Sequence, residues 1–469
     1  MAHVSAEVSV VLDRASGVPL AVQLADGLRS AATSGALRAG DRLPSSRALA
    51  AELGVSRTVT AAAFDQLLAE GWVAGRRGSG TYVTTAPAGA GAAAPVASGD
   101  RASGLPRLDL RPGTPCVEVV DRAAWRRAWR SAANEAPQVT PSPVGLPVFR
   151  AAVVEHLLRH RGLPAADVLA TAGSTSAVAE LAATLPAGAR IGVEEPGYQR
   201  AAQAVLAVGA RVVSVPVDDG GLVVDALPSG LAAVYCTPAH QYPLGARLSA
   251  ERRVARVERA RREGFLVVED DYDGELRYDV APLPLLAALG PDVVAHLGTA
   301  SKLLTPTLGV GWLVAPPAVR AAVRHHRERT GLRPSPAGQR VFAALAAHGD
   351  LARHLRRLRH ELGARRAAVV AALDAVGVRW RGDEAGAHVV AELSDAAAEA
   401  AVVTAAARRG VALDGLARHF AGPATAAGVV LGYAGQTRAE LERGLRVVTT
   451  VLAQGGERRG RSSGPGRYR

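Results

Sequence analysis

Between about residue 108 and Leu452, short apolar runs alternate with helical stretches. VLATAG leads into STSAVAELAATL, LAAVYCTP is followed by SAERRVARVERARREG, and that stretch passes directly into FLVVED. A run that is apolar at consecutive positions, rather than at every second one, belongs to a strand buried on both faces. Such strands, joined by helices, build a mostly parallel sheet covered on both sides. The chain is therefore expected to be of the α/β class, with one large domain over residues 108–454. A hydrophobic content of 48% over 469 residues is enough for a core of that size.

The segment TAPAGAGAAAPVASGDRASGLP has no periodicity and consists mainly of Ala, Gly, Pro and Ser. It reads as a flexible linker, over residues 85–107, between the large domain and a compact block at residues 1–84. Residues 455–469 read as a basic disordered tail. The net charge of +12 suits a polyanionic partner, but five of the arginines lie in GERRGRSSGPGRYR at the end of the chain, so charge alone decides little. Cys116 and Cys236 are far apart and form no CxxC or Cys/His cluster, which argues against a disulfide framework or a metal site. With no signal peptide and no apolar run of membrane-spanning length, the expectation is a soluble cytoplasmic protein without a membrane partner.

In the first block, PLAVQLADGLRSAATSG has helical spacing and ends at Gly35. DRLPSSRALAAELG gives a short helix capped by Ser45 or Ser46, and VSRTVTAAAFDQLLAEG gives another, capped by Ser56 after a tight turn. Two helices so joined have the layout of a helix-turn-helix, and WVAGRRGSGTYV reads as a two-stranded wing with Arg76 and Arg77 at its tip. The first turn of the second helix would face a DNA duplex with Ser56, Arg57 and Thr58, while Arg47 and the wing arginines would reach phosphates or groove edges. A small helical docking domain is the plain alternative. Through Val83 there are eight arginines against seven acids, so the ordered motif, and not net charge, carries the DNA reading.

Lys302, in GTASKLLTP, is the only lysine among the 55 basic Lys and Arg residues. Arginine replaces lysine wherever a simple cation suffices, but it cannot lose its proton and attack a carbonyl. A pyridoxal cofactor needs a lysine for a Schiff base, an acid at the pyridine nitrogen, a phosphate cradle and a group covering the ring. Lys302 is the candidate for the first. Asp270, at the end of the strand in FLVVEDDYDGELRY, is the candidate acid, and Tyr272 a donor to the phenolic oxygen. Gly173, Ser174 and Thr175, between a strand and a helix, offer amides and hydroxyls to phosphate, and Ser301 joins this cofactor-binding set. Tyr198, in EEPGYQR, would cover the ring. Taken singly, the acids could be a solvated strand end and the Gly-Ser-Thr a plain helix cap.

The block LPSSRALAAELGVSRTVTAAAFDQLLAEGWV closely resembles the winged helix of GntR-family regulators. TPAHQYPLG, EDDYDGELRY, EEPGYQR and GTASKLLTP resemble motifs of the MocR subfamily, in which a winged helix is fused to a fold-type I aminotransferase-like domain. The resemblance spans nearly everything except the linker and the tail. It implies a transcriptional regulator binding pyridoxal 5'-phosphate and a double-stranded DNA operator, and sensing a small-molecule effector (an amine, an amino acid derivative or pyridoxal phosphate) as a head-to-tail homodimer. It also implies that Arg200 meets the effector's carboxylate. Three positions depart from the pattern. Gly309 stands where an arginine usually grips the phosphate, Val430 where an aminotransferase arginine clamps a substrate carboxylate, and Ala300 where an aromatic is usual. They imply looser cofactor binding and a one-sided grip on an amino acid, hence sensing with little or no turnover. The alternative is a working aminotransferase with an accessory DNA-binding domain.

Overall fold

The computed structural model describes residues 10–76, 80–84, 108–136, 139–165, 167–279 and 283–460. By its internal contacts the chain divides into two units, Met1–Ser103 and Gly104–Arg469. The expected linker at 85–107 lies outside the described residues.

In the first unit, helices Leu20–Thr33, Ser46–Glu52 and Arg57–Ala69 are followed by an antiparallel ribbon of Val73–Arg76 and Gly80–Val83. Two serines set the helix starts. Ser45 accepts from the Ala48 amide at 3.1 Å and Ser56 from the Val59 amide at 3.4 Å, satisfying amides that have no partner within their helices. The Thr60 hydroxyl donates to the Ser46 carbonyl at 2.8 Å and locks the second helix onto the third. Arg29 forks onto Glu70 and ties the first helix to the end of the third. Leu24, Leu28, Leu49, Ala63, Leu67 and Val83 close a small core beneath these contacts.

The second unit is built on an eight-stranded sheet. Its spatial order is Leu169–Thr171, Gly311–Val314, Val294–Thr299, Leu266–Asp270, Ala233–Cys236, Arg190–Glu195, Arg211–Asp218 and Gly221–Leu222. The five strands from Val294–Thr299 to Arg211–Asp218 are mutually parallel, and Gly311–Val314 runs against its neighbours. All residues of Val294–Thr299 and of Ala233–Cys236 are buried, as strands covered on both faces require. The connecting helices follow their capping signals: Ala250–Glu263 starts on Ser249, which accepts from the Arg252 amide at 3.3 Å, and stops on left-handed Gly264. Inside the sheet Gly298 is required by close approach, because a Cβ there would lie 2.2 Å from the Trp312 ring.

The long helix Asp350–Asp374 leads to a smaller layer, an antiparallel sheet in the order Trp380–Arg381, His388–Leu393, Ala427–Gly432 and Asp414–Gly415. Leu108–Asp109, the first described stretch after the expected linker, pairs in parallel with Val411–Ala412 in a separate two-stranded sheet. The last helix, Arg438–Gly460, continues six residues into the segment expected to be a disordered tail. Extending a helix by a few residues costs far less than starting one. Residues 461–469 lie outside the described residues.

Candidate functional site

Parallel strands that share a direction bring their carboxyl ends to one edge, and in open α/β sheets ligands gather there. The segments following Leu169–Thr171, Arg190–Glu195, Ala233–Cys236, Leu266–Asp270 and Val294–Thr299 all contribute to one cleft of about 920 Å³. Lys302, Asp270, Tyr272, Tyr198, Gly173, Ser174, Thr175, Ser301 and Arg200 all line it. Gly173 and Lys302, 129 positions apart in the chain, are thus brought together by strand direction.

Lys302 donates from Nζ to the Gly113 carbonyl at 2.5 Å. Burial lowers its pKa, opposed by the carboxylates of Asp273 and Asp270. Asp270 is buried, and its Oδ2 accepts from the Tyr235 hydroxyl at 2.7 Å. Its Oδ1 is buried without a hydrogen bond of normal geometry, and burial pushes the carboxyl up to about 7, against the Tyr235 and Ser174 hydroxyls. Asp271, next in sequence, points away: it takes the Arg161 fork at 2.7 and 2.8 Å, while Arg161 also donates to the Gly274 carbonyl, pinning the acidic loop from below. The Tyr272 hydroxyl lies 3.0 Å from the His240 carbonyl, and burial holds its pKa well above the usual value, so it remains a donor. Tyr198 precedes the helix Gln199–Ala207, and its hydroxyl is 3.2 Å from Thr175 Oγ1. Gly173 precedes the helix Ser174–Ala183, whose first amides have no partners within the helix.

Sequence reasoning passed over several lining residues. Tyr235, which holds Asp270, stands alone in an otherwise apolar strand; a buried hydroxyl needs a partner, and that was the available signal. Tyr242, His388, Asp414, Arg418 and His419 also line the cleft. Tyr242 lies edge-on to Tyr198, with ring centroids 5.8 Å apart, and to His388 and His419, at 5.2 Å each. The last four come from the smaller layer, whose approach to the sheet no local pattern announces. Of the three departures, Gly309 adopts left-handed backbone (φ 56°) after the short helical turn Pro306–Leu308, and a Cβ there would meet nothing within 4 Å. Val430 is fully buried against Val390, Leu416, Leu244 and Phe420, and Ala300 is fully buried too.

In the first unit Arg57 and Thr58 open the third helix with exposed side chains, and Arg47 is exposed near the start of the second. The Ser56 hydroxyl is engaged in capping. Arg76 ends the first strand of the ribbon, opposite Gly80, and Arg77 lies outside the described residues. Three helices with a terminal two-stranded ribbon form a winged helix-turn-helix, and the second unit is an aminotransferase-like α/β domain.

Residues 20–83 match the bacterial regulatory proteins of the gntR family, and residues 108–446 match aminotransferase class I and II. The HTH-type pyridoxine biosynthesis transcriptional regulator PdxR of Corynebacterium glutamicum is 35% identical over 96% of this chain and 100% of its own. The probable rhizopine catabolism regulatory protein MocR of Rhizobium meliloti is 32% identical over 94% of this chain and 96% of its own. Among solved structures, LysN, an α-aminoadipate aminotransferase from Thermus thermophilus crystallised with N-(5'-phosphopyridoxyl)-L-leucine, is 26% identical with a TM-score of 0.68, over 75% of this chain and 93% of that one. The chain belongs to the MocR-type regulators, in which a gntR-family DNA-binding domain is fused to a class I and II aminotransferase domain. It is a DNA-binding transcriptional regulator, and its larger domain has a fold that implies dependence on pyridoxal phosphate. Among the described residues no helix is long and apolar enough to cross a membrane.

Proposed function

We propose that the cleft holds pyridoxal phosphate on Lys302 and that its occupancy by a small amine, an amino acid derivative or pyridoxal phosphate itself controls operator binding by the first unit, in a cytoplasmic head-to-tail homodimer. The observation that carries this reading is the unpartnered Oδ1 of Asp270 in the same cleft as the chain's single lysine. A buried acceptor without a donor is costly, and a pyridine ring N–H is the donor that this arrangement lacks. The remaining groups fit the cofactor as well. Tyr272 is protonated and would turn its proton from the His240 carbonyl to the phenolic oxygen, Tyr198 is an aromatic cover, and Gly173, Ser174, Thr175 and Ser301 are a neutral cradle for phosphate at a helix N-terminus. When bound, pyridoxal phosphate supplies an aldehyde that condenses with amines.

Lys302 presents an amine whose pKa burial lowers, and that amine donates to the Gly113 carbonyl. Gly113 belongs to the stretch that opens the second unit after residues 85–107; there the Leu108 amide donates to Gly410 and the Leu110 amide to Ala412. Engaging Lys302 elsewhere removes the donor from Gly113, so the event reaches the segment joined to the DNA-binding unit. In that unit Arg57 and Thr58 face the duplex beside Ser56, with Arg47, Arg76 and Arg77 on its backbone or groove edges.

Borohydride treatment of the pigmented protein should fix the cofactor to the peptide containing Lys302, and Lys302→Ala should be colourless; pigment unchanged in that variant would overturn the assignment. A second reading, a working aminotransferase, is favoured by the convergence of Lys302, Asp270, Tyr272 and Tyr198 in one cleft. Catalytic formation of a 2-oxo acid from a common α-amino acid, at rates typical of enzymes, would establish it over sensing.

A further inference from the structure

In the strand Ala427–Gly432, Val430 lies on a face of the small sheet that borders the cleft. Residues directly opposite in a sheet share a face. Val430 pairs with Val390 on one side and with Asp414 on the other, and two positions along, Gly432 pairs with His388. His388 and Asp414 both line the cleft, so this face of the small sheet is its wall. Val430 itself puts no polar atom there.

The wall nevertheless carries a guanidinium. Asp414 Oδ1 accepts from Arg418 Nη1 at 2.9 Å, four residues on, and Arg418 has no other ion pair among the described residues. The Asp414 side chain is 6% exposed and that of Arg418 64%, so the carboxylate is the buried anchor and the cation is what meets the open cleft. Arg418 is held through one nitrogen, leaving Nε and Nη2 without partners among the described residues; a guanidinium has donors enough to take a second carboxylate. The adjacent His419 lines the cleft with its side chain 5% exposed, and its Nε2, which makes no hydrogen bond, lies 3.5 Å from Asp414 Oδ2.

The loop carrying Arg200 is bonded to this same segment. The Gly197 amide and the Gln199 side chain both donate to the His419 carbonyl, at 2.9 and 2.7 Å, and the Ala421 and Gly422 amides donate to Glu195, at 2.7 and 2.9 Å. Arg200 also lines the cleft, exposed and without an ion pair among the described residues. Two arginines from distant parts of the chain are therefore held on one rim.

We propose that Arg418, anchored by Asp414, replaces the arginine absent from position 430 and, with Arg200, takes the carboxylate of the ligand, so that the effector is a carboxylate-bearing amine, an amino acid or a close derivative. The proposal rests on the reading that this cleft is the ligand site. It replaces the one-sided grip inferred from Val430 with a two-sided one.

The test uses the full chain and three matched probes: L-alanine, ethylamine, which lacks the carboxylate, and propionate, which lacks the amine. Calorimetry reports all three, and absorbance reports cofactor occupancy separately. The expected result is saturable propionate binding, and L-alanine bound more tightly than ethylamine. Arg418→Leu should weaken both carboxylates about ten- to hundredfold, the range for a hydrogen bond to a charged group, and leave ethylamine unchanged. Arg418→Lys should recover part of the loss, and Val430→Arg added to Arg418→Leu should recover more. No saturable propionate binding, or equal losses for L-alanine and ethylamine, would overturn the proposal. Propionate binding that depends on Arg418 in protein without pigment would retain this subsite and reject the cofactor reading instead; pigment with no effect of Arg418 would do the reverse.

Discussion

Asp270 has one satisfied oxygen and one buried without a donor, and its titration follows from that asymmetry. Its carboxyl is raised from 3.8 to about 7, so between those values the folded, cofactor-free protein holds a proton that the unfolded chain releases. The stability due to this group is therefore complete below about pH 4 and is lost as pH rises through about 7, amounting to roughly a few kcal/mol at most. Asp270→Asn should remove that part of the slope, leaving the variant less dependent on pH than the parent when both are unfolded by denaturant at pH 5 and pH 8 without cofactor. A ring N–H on Oδ1 would favour the ionised form, so loading the cofactor should flatten the parent's slope as well. Gly309 is a second single-residue matter. Open space surrounds a Cβ built there, and an arginine would accept left-handed backbone at a cost of about 1–2 kcal/mol. Gly309→Arg should nonetheless strengthen retention of pyridoxal phosphate about tenfold, without a matching gain for unphosphorylated pyridoxal, because a charge-assisted hydrogen bond to phosphate exceeds that strain. Equal gains for both would show that the phosphate lies elsewhere.

The elements position the chemistry through their ends. The strand Leu266–Asp270 delivers Asp270 to the cleft, and the loop beyond it keeps its course because Arg161, at the end of the helix Pro147–Arg161, takes Asp271 bidentately. Arg161→Met would leave Asp271 buried beside Glu275 without its counter-ion, and should destabilise the protein by about 3–5 kcal/mol in denaturant unfolding. In the first unit, the helix Arg57–Ala69 is held by Thr60 and Leu67 on one side and presents Arg57 on the other. Arg57→Ala should weaken operator binding by about 1–3 kcal/mol and relax discrimination at one base pair if Arg57 reads a base; if it meets only phosphate, all sequences should weaken alike and the salt dependence should become shallower. Unchanged binding on every DNA would remove this helix from the interface.

For the whole molecule, the two units have separate cores and separate chemistries. The two ends should therefore fail independently. Lys302→Ala should keep basal operator affinity within about twofold and lose the response to ligand, since a ligand that no longer distinguishes two states shifts nothing between them. Arg57→Ala should lose affinity while retaining pigment. A ligand response that survives in Lys302→Ala, measured by operator titration with and without L-alanine, would place sensing outside the lysine.

The winged helix was legible because its signals are local: Ser45 and Ser56 cap helices within three residues of themselves, and turn and hydrophobic spacing repeat over a few positions. Lys302 was legible for a different reason, since only a lysine can supply a neutral amine and the chain has one. The strand ends were legible in kind, because consecutive apolar positions require burial on both faces, and that in turn implies parallel strands with their carboxyl ends aligned. Nothing local separates Asp270 from Asp271, although one faces the cleft and the other Arg161; that choice is made by the alternation of side chains at the strand end and by a helix more than a hundred residues earlier. The rim that Arg200 shares with Arg418 was likewise out of reach. Val430 suggested a missing clamp, but whether Arg418 replaces it depends on Asp414 being registered against Val430, and on the 195–200 loop bonding to His419. The sequence alone determined which elements form and which residue can carry the amine chemistry, because these rest on covalent identity and short-range spacing. Only the tertiary structure decided which charges share a cavity, because burial and pairing over more than two hundred residues arise when the chain closes on itself.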